Sequence, residues 1–326
     1  VSKFLHSISS GYVLASLFVI GISSWYLLKR REILFAKRSI VVASSFGLLT
    51  SLFLLASGDE SAHQVALNQP MKLAAMEGLY KGEERAGIIA FGQLNPDKEV
   101  GDDNEPFEFS IEIPYALSFL GYHSFDAFVP GVEDLVYGNE KYGIISTAEK
   151  IAVGKEAIAA LSEYKEAKKG GDIVSADAAL QRFESSSHYM GYGYLEKPED
   201  AVPNIPISFY SFHVMVGLGS WFILLFVIML YSIMTNEVEK RRWLLWAALF
   251  TIPLGYVAQE AGWIVAEVGR QPWAIQDMLP VGMATSSIEH TSVMITFWLF
   301  AVLFTGLLLA EIKIMLRQIK IGPEEH

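Results

Sequence analysis

The chain has 326 residues, of which 52% are hydrophobic and none is cysteine, and its formal net charge is −11. An acidic chain lacks the basic surface that nucleic acids require, so this composition argues against nucleic-acid binding. Without cysteine, disulfides, thiolate zinc sites and cysteine-held iron–sulfur clusters are excluded, and any metal must be held by His, Met, Glu or Asp. The high apolar content is typical of a protein that crosses a membrane.

Five segments have the length and hydrophobicity of membrane-spanning helices, each of which needs about 20 largely apolar residues. They cover roughly 5–28, 39–57, 207–234, 242–264 and 290–315. The chain is therefore predicted to be an all-α membrane protein with five transmembrane helices. We expect helices 1 and 2 in residues 1–57, a large, partly helical extracytoplasmic loop in 58–205, and helices 3–5 with a cytoplasmic C-terminus in 206–326.

Basic residues predict the orientation of these helices. The loop KRREILFAKR at 29–38, the EKRRW segment after the third helix and the C-terminal tail are all rich in Lys and Arg. Such loops stay in the cytoplasm, which places residues 58–205 on the outer side.

The predicted outer loop divides into several segments. Residues 59–80 are interpreted as the opening of a polar helix, with Asp59, Glu60 and His63 near its N-terminus, where acidic side chains are favourable. Residues 92–110 are rich in Gly, Asp, Asn and Pro and are expected to form a mobile connection. Residues 145–167 and 172–190 have helical periodicity, and the GYGY segment is expected to be a turn.

His6 and Met215 are candidate ligands of a metal. Counted from the cytoplasmic ends of the first and third helices, they lie at heights that agree within about 3 Å at 1.5 Å per residue. A His and a Met at equal depth can take the two axial positions of a haem iron. Each has an ordinary alternative, because a lone Met in an apolar helix commonly serves packing and a His near a membrane surface can be a polar anchor.

Glu260 is an ionisable group inside the outer part of the fourth span, which makes a functional role the first hypothesis. It is interpreted as a metal ligand or proton relay, the alternative being a carboxylate satisfied by hydroxyls or water. Glu267 and Arg270 follow on roughly the same helical face. Arg270 can pair with Glu267 or with an anionic cofactor group. Pro272 is expected to break the helix and to place Trp273 at the membrane interface, where Trp is favoured.

Lys72 and Glu77 lie five residues apart in KLAAMEGLY. A Lys can hydrogen-bond a quinone oxygen and a Glu can accept a quinol proton. The alternative is a solvated, charged helix face, which on the sequence alone is the more common outcome.

Together these segments resemble subunit I of the cytochrome bd quinol oxidases. The resemblance is carried by QEAGWIVAEVGRQPWAI, by HSISSGYVLASLFVIGISSWYLLKRREILFAKRS, and by GDES, KLAAMEGLY and IEIPYALSFL, so that it covers nearly the whole chain. The long separation between Glu77 and His213 suits the long-loop branch of this family.

The resemblance implies a set of roles. His6 and Met215 would be axial ligands of a low-spin haem b, and Glu260 would ligate a second, high-spin haem b. Lys72 and Glu77 would belong to the quinol site. Glu267 would belong to the residues near the haems. The residues beside the haem propionates would be Arg270, Gln271 and Trp273.

Two positions depart from the family pattern. His213 stands where the family usually has Arg, so the positive charge near the low-spin haem is lost or depends on pH. Tyr256 stands where the family tends to have Trp. The family also has about four further helices before the region matched here, which carry a ligand to haem d and part of a proton path. We therefore expect this chain to act with that N-terminal part of subunit I, a subunit II-like membrane protein and small accessory subunits.

The resulting hypothesis is a quinol:oxygen oxidoreductase of the cytochrome bd type. Quinol would be oxidised at the outer face, and electrons would pass through two b haems to haem d, where oxygen is reduced to water. Two alternatives stay open at this point: a quinol-oxidising b-type cytochrome that does not reduce oxygen, and a non-redox membrane transporter with Glu260 as an ion site.

Overall fold

A computed structural model describes residues 2–323. Its α-helices are α1 (Ser2–Leu28), α2 (Ile33–Asn68), α3 (Pro70–Glu77), α4 (Ala116–Tyr122), α5 (Val132–Tyr137), α6 (Thr147–Gly170), α7 (Ile173–Ser186), α8 (Ile205–Met234), α9 (Arg242–Val268) and α10 (His290–Ile321). Its strands are β1 (Glu83–Glu84), β2 (Ile88–Leu94), β3 (Phe107–Ile113), β4 (Phe128–Val129), β5 (Trp273–Ile275) and β6 (Leu279–Pro280). The strands form three antiparallel pairs, β1 with β4, β2 with β3 and β5 with β6.

The prediction of a helical membrane protein is confirmed. Helices α1, α2, α9 and α10, together with the segment that contains α8, are long and apolar enough to cross a membrane. Most of the helices extend beyond the predicted segments, because polar residues at their ends continue the helical turn. The short strand pairs lie in the segments between the long helices.

Helix α2 corrects the prediction for the start of the outer loop. It continues without a break through Asp59, Glu60 and His63, which therefore lie in its C-terminal part and not at a helix start. The chain leaves helical geometry only at Gln69, directly before Pro70. A proline ring disfavours helical geometry in the preceding residue, so the break falls where the sequence demands it.

The chain divides into two compact units, the first of which comprises the described parts of Val1–Ser10, Leu52–Ser220 and Tyr256–Ala284. It contains the predicted helical pair as α6 and α7. The Ser146 hydroxyl caps α6 by accepting a hydrogen bond from the Glu149 amide, and the Asp172 carboxylate caps α7. Such caps satisfy backbone amides that have no partner within the helix. The GYGY segment is not a simple turn, because it ends a 3₁₀-helix spanning Ser187–Tyr194.

Residues 92–110 contain strand structure that the sequence did not predict, because both ends belong to the β2–β3 hairpin. Between the strands, the Lys98 ammonium lies 2.6 Å from an Asp102 carboxylate oxygen and 3.2 Å from a Glu133 carboxylate oxygen. The same ammonium lies 5.0 Å from the centre of the Tyr80 ring. The charges in this segment pair with one another and with α5, which are contacts that the sequence did not predict.

The second unit comprises Gly11–Ser51, Trp221–Gly255 and the described part of Thr285–His326. Its helices approach one another closely at small residues. A Cβ atom built at Gly47 would lie 2.5 Å from the Phe226 ring and 2.8 Å from the Ser16 side chain, so no larger residue fits there without a shift. Small residues permit such close contact between helices in membranes. Near its C-terminus, α10 accepts a hydrogen bond of 2.8 Å from the Tyr26 hydroxyl through the Ile319 carbonyl.

Candidate functional site

Helix α3 carries Lys72 and Glu77, and both side chains are buried. Lys72 is 8% exposed and Glu77 is 2% exposed. The interpretation of these residues as a solvated charged face is therefore wrong. The burial arises because α3, a helix of two turns, is enclosed by two hydrophobic clusters, one including Tyr80 and Phe209 and the other including Leu117.

The Glu77 carboxyl is a buried acid without a partner. Neither of its oxygens has a hydrogen-bond partner among residues 2–323. Burial raises the pKa of Glu77 from 4.5 to about 8, and the nearby backbone of Ile89, which falls outside hydrogen-bond geometry, opposes that shift. A carboxyl group with such a pKa is protonated at neutral pH and can exchange its proton there.

His213 contacts β2, the strand that also lies beside Glu77. Its Nε2 atom lies 2.6 Å from the Ile89 carbonyl oxygen, and its Nδ1 atom lies 2.8 Å from the Phe209 carbonyl oxygen. The ring is thus held by backbone groups on both sides. Strand β2 brings the surroundings of Glu77 and His213 together at Ile89, a contact that no local sequence signal indicates.

Lys72 lies among charged groups from two other segments. Its ammonium lies 3.4 Å from the Ala266 carbonyl, one of the last carbonyls of α9. The pKa of Lys72 falls from 10.5 to about 8, first because of burial and then because of the positive charge of Lys3, while Glu267 opposes the shift and Arg270 adds to it. The structure therefore brings Lys72, Glu267 and Arg270 together, as two cations and one carboxylate.

The segment after α9 is fixed by side chain–backbone hydrogen bonds. Arg270 contacts Glu267 at 2.5 Å, and its guanidinium also donates to the Ala274 carbonyl at 2.9 Å. The Gln271 side chain donates to the Glu267 carbonyl at 3.1 Å. Arg270 therefore pairs within its own chain, as one of the two expected possibilities, and it remains 36% exposed at its side chain.

Trp273 does not lie at an exposed interface. It is 3% exposed, and its ring packs 4.7 Å from the Tyr192 ring in a cluster with Ile151. The Tyr192 hydroxyl donates to Asp277 at 2.9 Å, and burial raises the pKa of Tyr192. Helix α6 and the 3₁₀-helix that follows α7 cover this tryptophan, and its level relative to the membrane stays a prediction. Helix α9 has also already ended at Val268, before Pro272.

His6 and Met215 each lie against a glycine of another helix. His6 Nδ1 is 3.2 Å from the Ser57 hydroxyl, and a Cβ atom at Gly58 would lie 3.3 Å from the His6 ring. The Met215 sulfur would lie 3.1 Å from a Cβ atom at Gly262. An imidazole held through Nδ1 keeps Nε2 available for a metal, which is how second-shell partners orient histidine ligands.

Glu260 lies on an exposed face of α9. Tyr256, Glu260 and Trp263 are all exposed and follow one another at helical spacings of four and three residues. An exposed carboxylate between two aromatic side chains on a membrane-spanning helix is costly unless another group binds it. This face offers an oxygen ligand flanked by flat apolar surfaces, which suits a large planar group.

An open cavity of about 790 Å³ lies between the N-terminal end of α1 and the C-terminal half of α2. Its wall includes Ser57, which holds His6, and Gln69, whose side-chain oxygen is buried without a partner among the described residues. The charged residues of the wall are Lys3 and Glu60. Sequence reasoning missed Lys3, Ser57 and Gln69, although Lys3 stands one helical turn before His6.

A family model and several known proteins match nearly the whole chain. The family described as "Cytochrome bd terminal oxidase subunit I" matches residues 1–323. "Cytochrome bd-II ubiquinol oxidase subunit 1" of Escherichia coli strain K12 is 33% identical over 98% of this chain and 62% of its own length. "Cytochrome bd ubiquinol oxidase subunit 1" of Bacillus subtilis strain 168 is 26% identical over 99% of this chain and 57% of its own length.

The fold also has a solved counterpart. The structure of bd oxidase from Geobacillus thermodenitrificans superposes with a TM-score of 0.69 at 24% identity, covering 99% of this chain and 58% of that one. This likeness concerns the fold alone. The chain spans about three fifths of the length of the relatives that it matches.

Proposed function

Because the chain belongs to the cytochrome bd terminal oxidase subunit I family, we propose that it forms the haem-binding part of a quinol:oxygen oxidoreductase. A cytochrome is a haem protein, so membership implies haem as the general type of cofactor. The observation that carries the proposal is the buried, unpartnered carboxyl of Glu77, whose pKa of about 8 lets it release a proton and take up another from quinol near neutral pH.

The donor set suits two b haems. His6, with Nε2 available, and Met215, beside the small Gly262, would hold the iron of a low-spin haem b. Glu260, between exposed aromatic side chains, would ligate a high-spin haem b. When bound, the haems supply one-electron acceptors for quinol and, with a haem d shared with a further part of subunit I, the place where oxygen is reduced to water.

This chain's own residues would bind quinol and manage its protons. Lys72, with a pKa lowered to about 8, would donate a hydrogen bond to a quinol oxygen, and Glu77, once it has released its own proton, would accept one from quinol. Their burial excludes water, so a proton leaving quinol meets the carboxyl and not bulk solvent. The cavity lined by Lys3, Glu60 and Gln69 would admit the ring beside Ser57 and thus beside His6.

Other residues would position these groups. Arg270 and Gln271, fixed by their contacts with Glu267, would face haem propionates, and Trp273, packed on Tyr192, would support this segment beside the haems. His213, held through Ile89, would shape the surroundings of Met215, and Tyr256 would form an aromatic wall beside Glu260.

The proposal includes the setting of the chain. Residues 1–57 and 206–326 would lie in a bacterial or archaeal cytoplasmic membrane, with 58–205 facing outward. The relatives are named as subunits, which supports function within an assembly. The proposed partners are a subunit II-like membrane protein, small accessory subunits and the N-terminal part of subunit I.

A reduced-minus-oxidised optical spectrum of the purified membrane protein tests this function. We expect His6→Ala and Met215→Leu each to abolish the low-spin haem b band. The matched controls are His63→Ala and Met229→Leu, the latter a fully buried methionine of the same helix, and both should keep the band.

The outcomes separate the hypotheses. Loss of the band in both ligand variants, with oxygen consumption on quinol by the assembled wild-type complex, supports the oxidase. A haem band without oxygen consumption by that complex indicates a quinol-oxidising cytochrome. A folded complex without haem overturns the redox proposal and favours a transporter with Glu260 as its ion site.

A further inference from the structure

The β2–β3 hairpin has one apolar face that the described chain leaves open. Along β3, Phe109, Ile111 and Ile113 alternate with Glu108, Ser110 and Glu112, and successive strand residues point to opposite faces. Phe91 of β2 joins the apolar side, because it pairs with Ile111 and its ring lies 6.3 Å from that of Phe109. These four apolar side chains are between 52% and 65% exposed.

The hairpin is attached to a membrane-spanning helix. The Ile89 carbonyl lies 2.6 Å from Nε2 of His213, and the Leu94 amide donates to the Tyr210 hydroxyl at 3.1 Å. Both partners lie in the first three turns of α8. Because the hairpin is bound to these turns, the depth of the turns in the membrane determines the depth of the hairpin.

That level follows from the length of α8. His213 lies 21 residues before Met234, the last residue of the helix, which is about 32 Å along the axis, and Tyr210 lies about 36 Å along it. The hydrocarbon layer is about 30 Å thick and the bilayer with headgroups about 40–45 Å. The anchors therefore fall at the boundary between acyl chains and headgroups.

The chemistry of the hairpin suits this boundary. A two-stranded sheet has open edges, which the hydrocarbon interior cannot satisfy but the hydrated headgroup layer can. Aromatic side chains such as Phe91 and Phe109 provide a compact apolar surface against acyl chains. Neighbouring side chains of α8, those of Ile207, Tyr210 and Val214, are also exposed, so this end of the helix likewise presents an apolar surface.

We propose that the β2–β3 hairpin is an interfacial anchor whose apolar face, formed by Phe91, Phe109, Ile111 and Ile113, rests on the lipids of one membrane leaflet. Its polar face, with Glu108 and Glu112, points to the headgroups and water. Ile89 of this hairpin lies beside Glu77 and His213, so the anchor also fixes the strand that borders the buried carboxyl. This inference depends on the membrane-spanning helices and not on the proposed oxidase function.

This chain contains no cysteine, so each introduced cysteine is the single labelling site in it. Single nitroxide labels are attached at Phe109→Cys and Ile111→Cys on the apolar face and at Ser110→Cys and Glu112→Cys on the polar face, in the purified complex in lipid nanodiscs. Power saturation then compares collision with oxygen, which concentrates in lipid, and with a water-soluble nickel chelate. We expect the ratio of oxygen to nickel accessibility to alternate along the strand and to be severalfold higher at the two apolar positions.

Two results would overturn the proposal. High nickel accessibility at all four positions places the hairpin in water. Low accessibility to both reagents at Phe109→Cys and Ile111→Cys means that a protein partner covers the face. Phe91→Cys on the neighbouring strand repeats the measurement independently, and a thermal midpoint equal to that of the wild type verifies that each labelled complex is folded.

Discussion

The buried carboxyl of Glu77 predicts a specific pH dependence of stability. Its pKa is about 8 in the folded chain and 4.5 ordinarily. Between these values the folded chain keeps a proton that the unfolded chain releases, so the stability falls as the pH rises. At 1.36 kcal/mol per pKa unit, the cost is about 3 kcal/mol at pH 7 and reaches about 5 kcal/mol above pH 8.

The Glu77→Gln variant removes this ionisation while it keeps the size of the side chain. We expect its thermal midpoint to match the wild type near pH 4.5 and to exceed it by a margin that grows up to pH 8. The assay is differential scanning fluorimetry in detergent at one scan rate and a series of pH values. Glu166→Gln, an exposed position on α6, is the matched control and should leave the midpoint unchanged at every pH.

A difference between Glu77→Gln and the wild type that does not depend on pH would refute this reasoning. It would mean that the carboxyl finds a polar partner or water when the protein is in solution. The same variant should lose quinol oxidation in the assembled complex while it gains stability, because the proposed proton acceptor is gone. Activity and stability would then move in opposite directions, which a merely structural role of this residue does not produce.

Two further variants probe the neighbouring contacts. Lys72→Met should raise the thermal midpoint at pH 7 and lose that advantage as the pH rises from 8 to 10.5. Burial lowers the pKa of this lysine to about 8, and the cost of burying its charge disappears when the proton is lost. Thermal midpoints measured at pH 7 and pH 10 test this, and an equal gain at both pH values would contradict it. Gly154→Ala should lower the free energy of unfolding by about 1–3 kcal/mol, because the new methyl group would clash with the backbone of the facing 3₁₀-helix. Gly170→Ala, at the end of the same helix with open space around it, is the control for a denaturant titration, and equal losses in the two variants would argue against that packing.

The positions of the long helices could be predicted from the sequence because they depend on local chemistry. A run of about 20 apolar residues is unfavourable in water and long enough to span a membrane, where a helix pairs the backbone groups within the segment. The α6–α7 pair was predictable for a similar reason, since its break carries Asp172 as a cap and Gly171 with a positive φ of 77°. In each case the residues that form the element also carry the signal for it.

The candidate ligands could be named from their chemistry, but their surroundings could not. His6 and Met215 stood out through residue type, depth and family resemblance. The Ser57 hydroxyl that holds His6 lies 51 residues away in the chain, and Gly262 beside Met215 lies on a different helix. No local pattern indicates such partners.

The sequence by itself determined which segments cross the membrane and which residue types can bind haem or quinol. Only the tertiary structure decided that Lys72 and Glu77 are buried and that residues 88–113 form a hairpin beside α8. The physical reason is that the pKa of a side chain and the pairing of a strand depend on which distant segments exclude water from them. That exclusion is a property of the assembled chain, and it gives an ordinary glutamate a pKa of about 8.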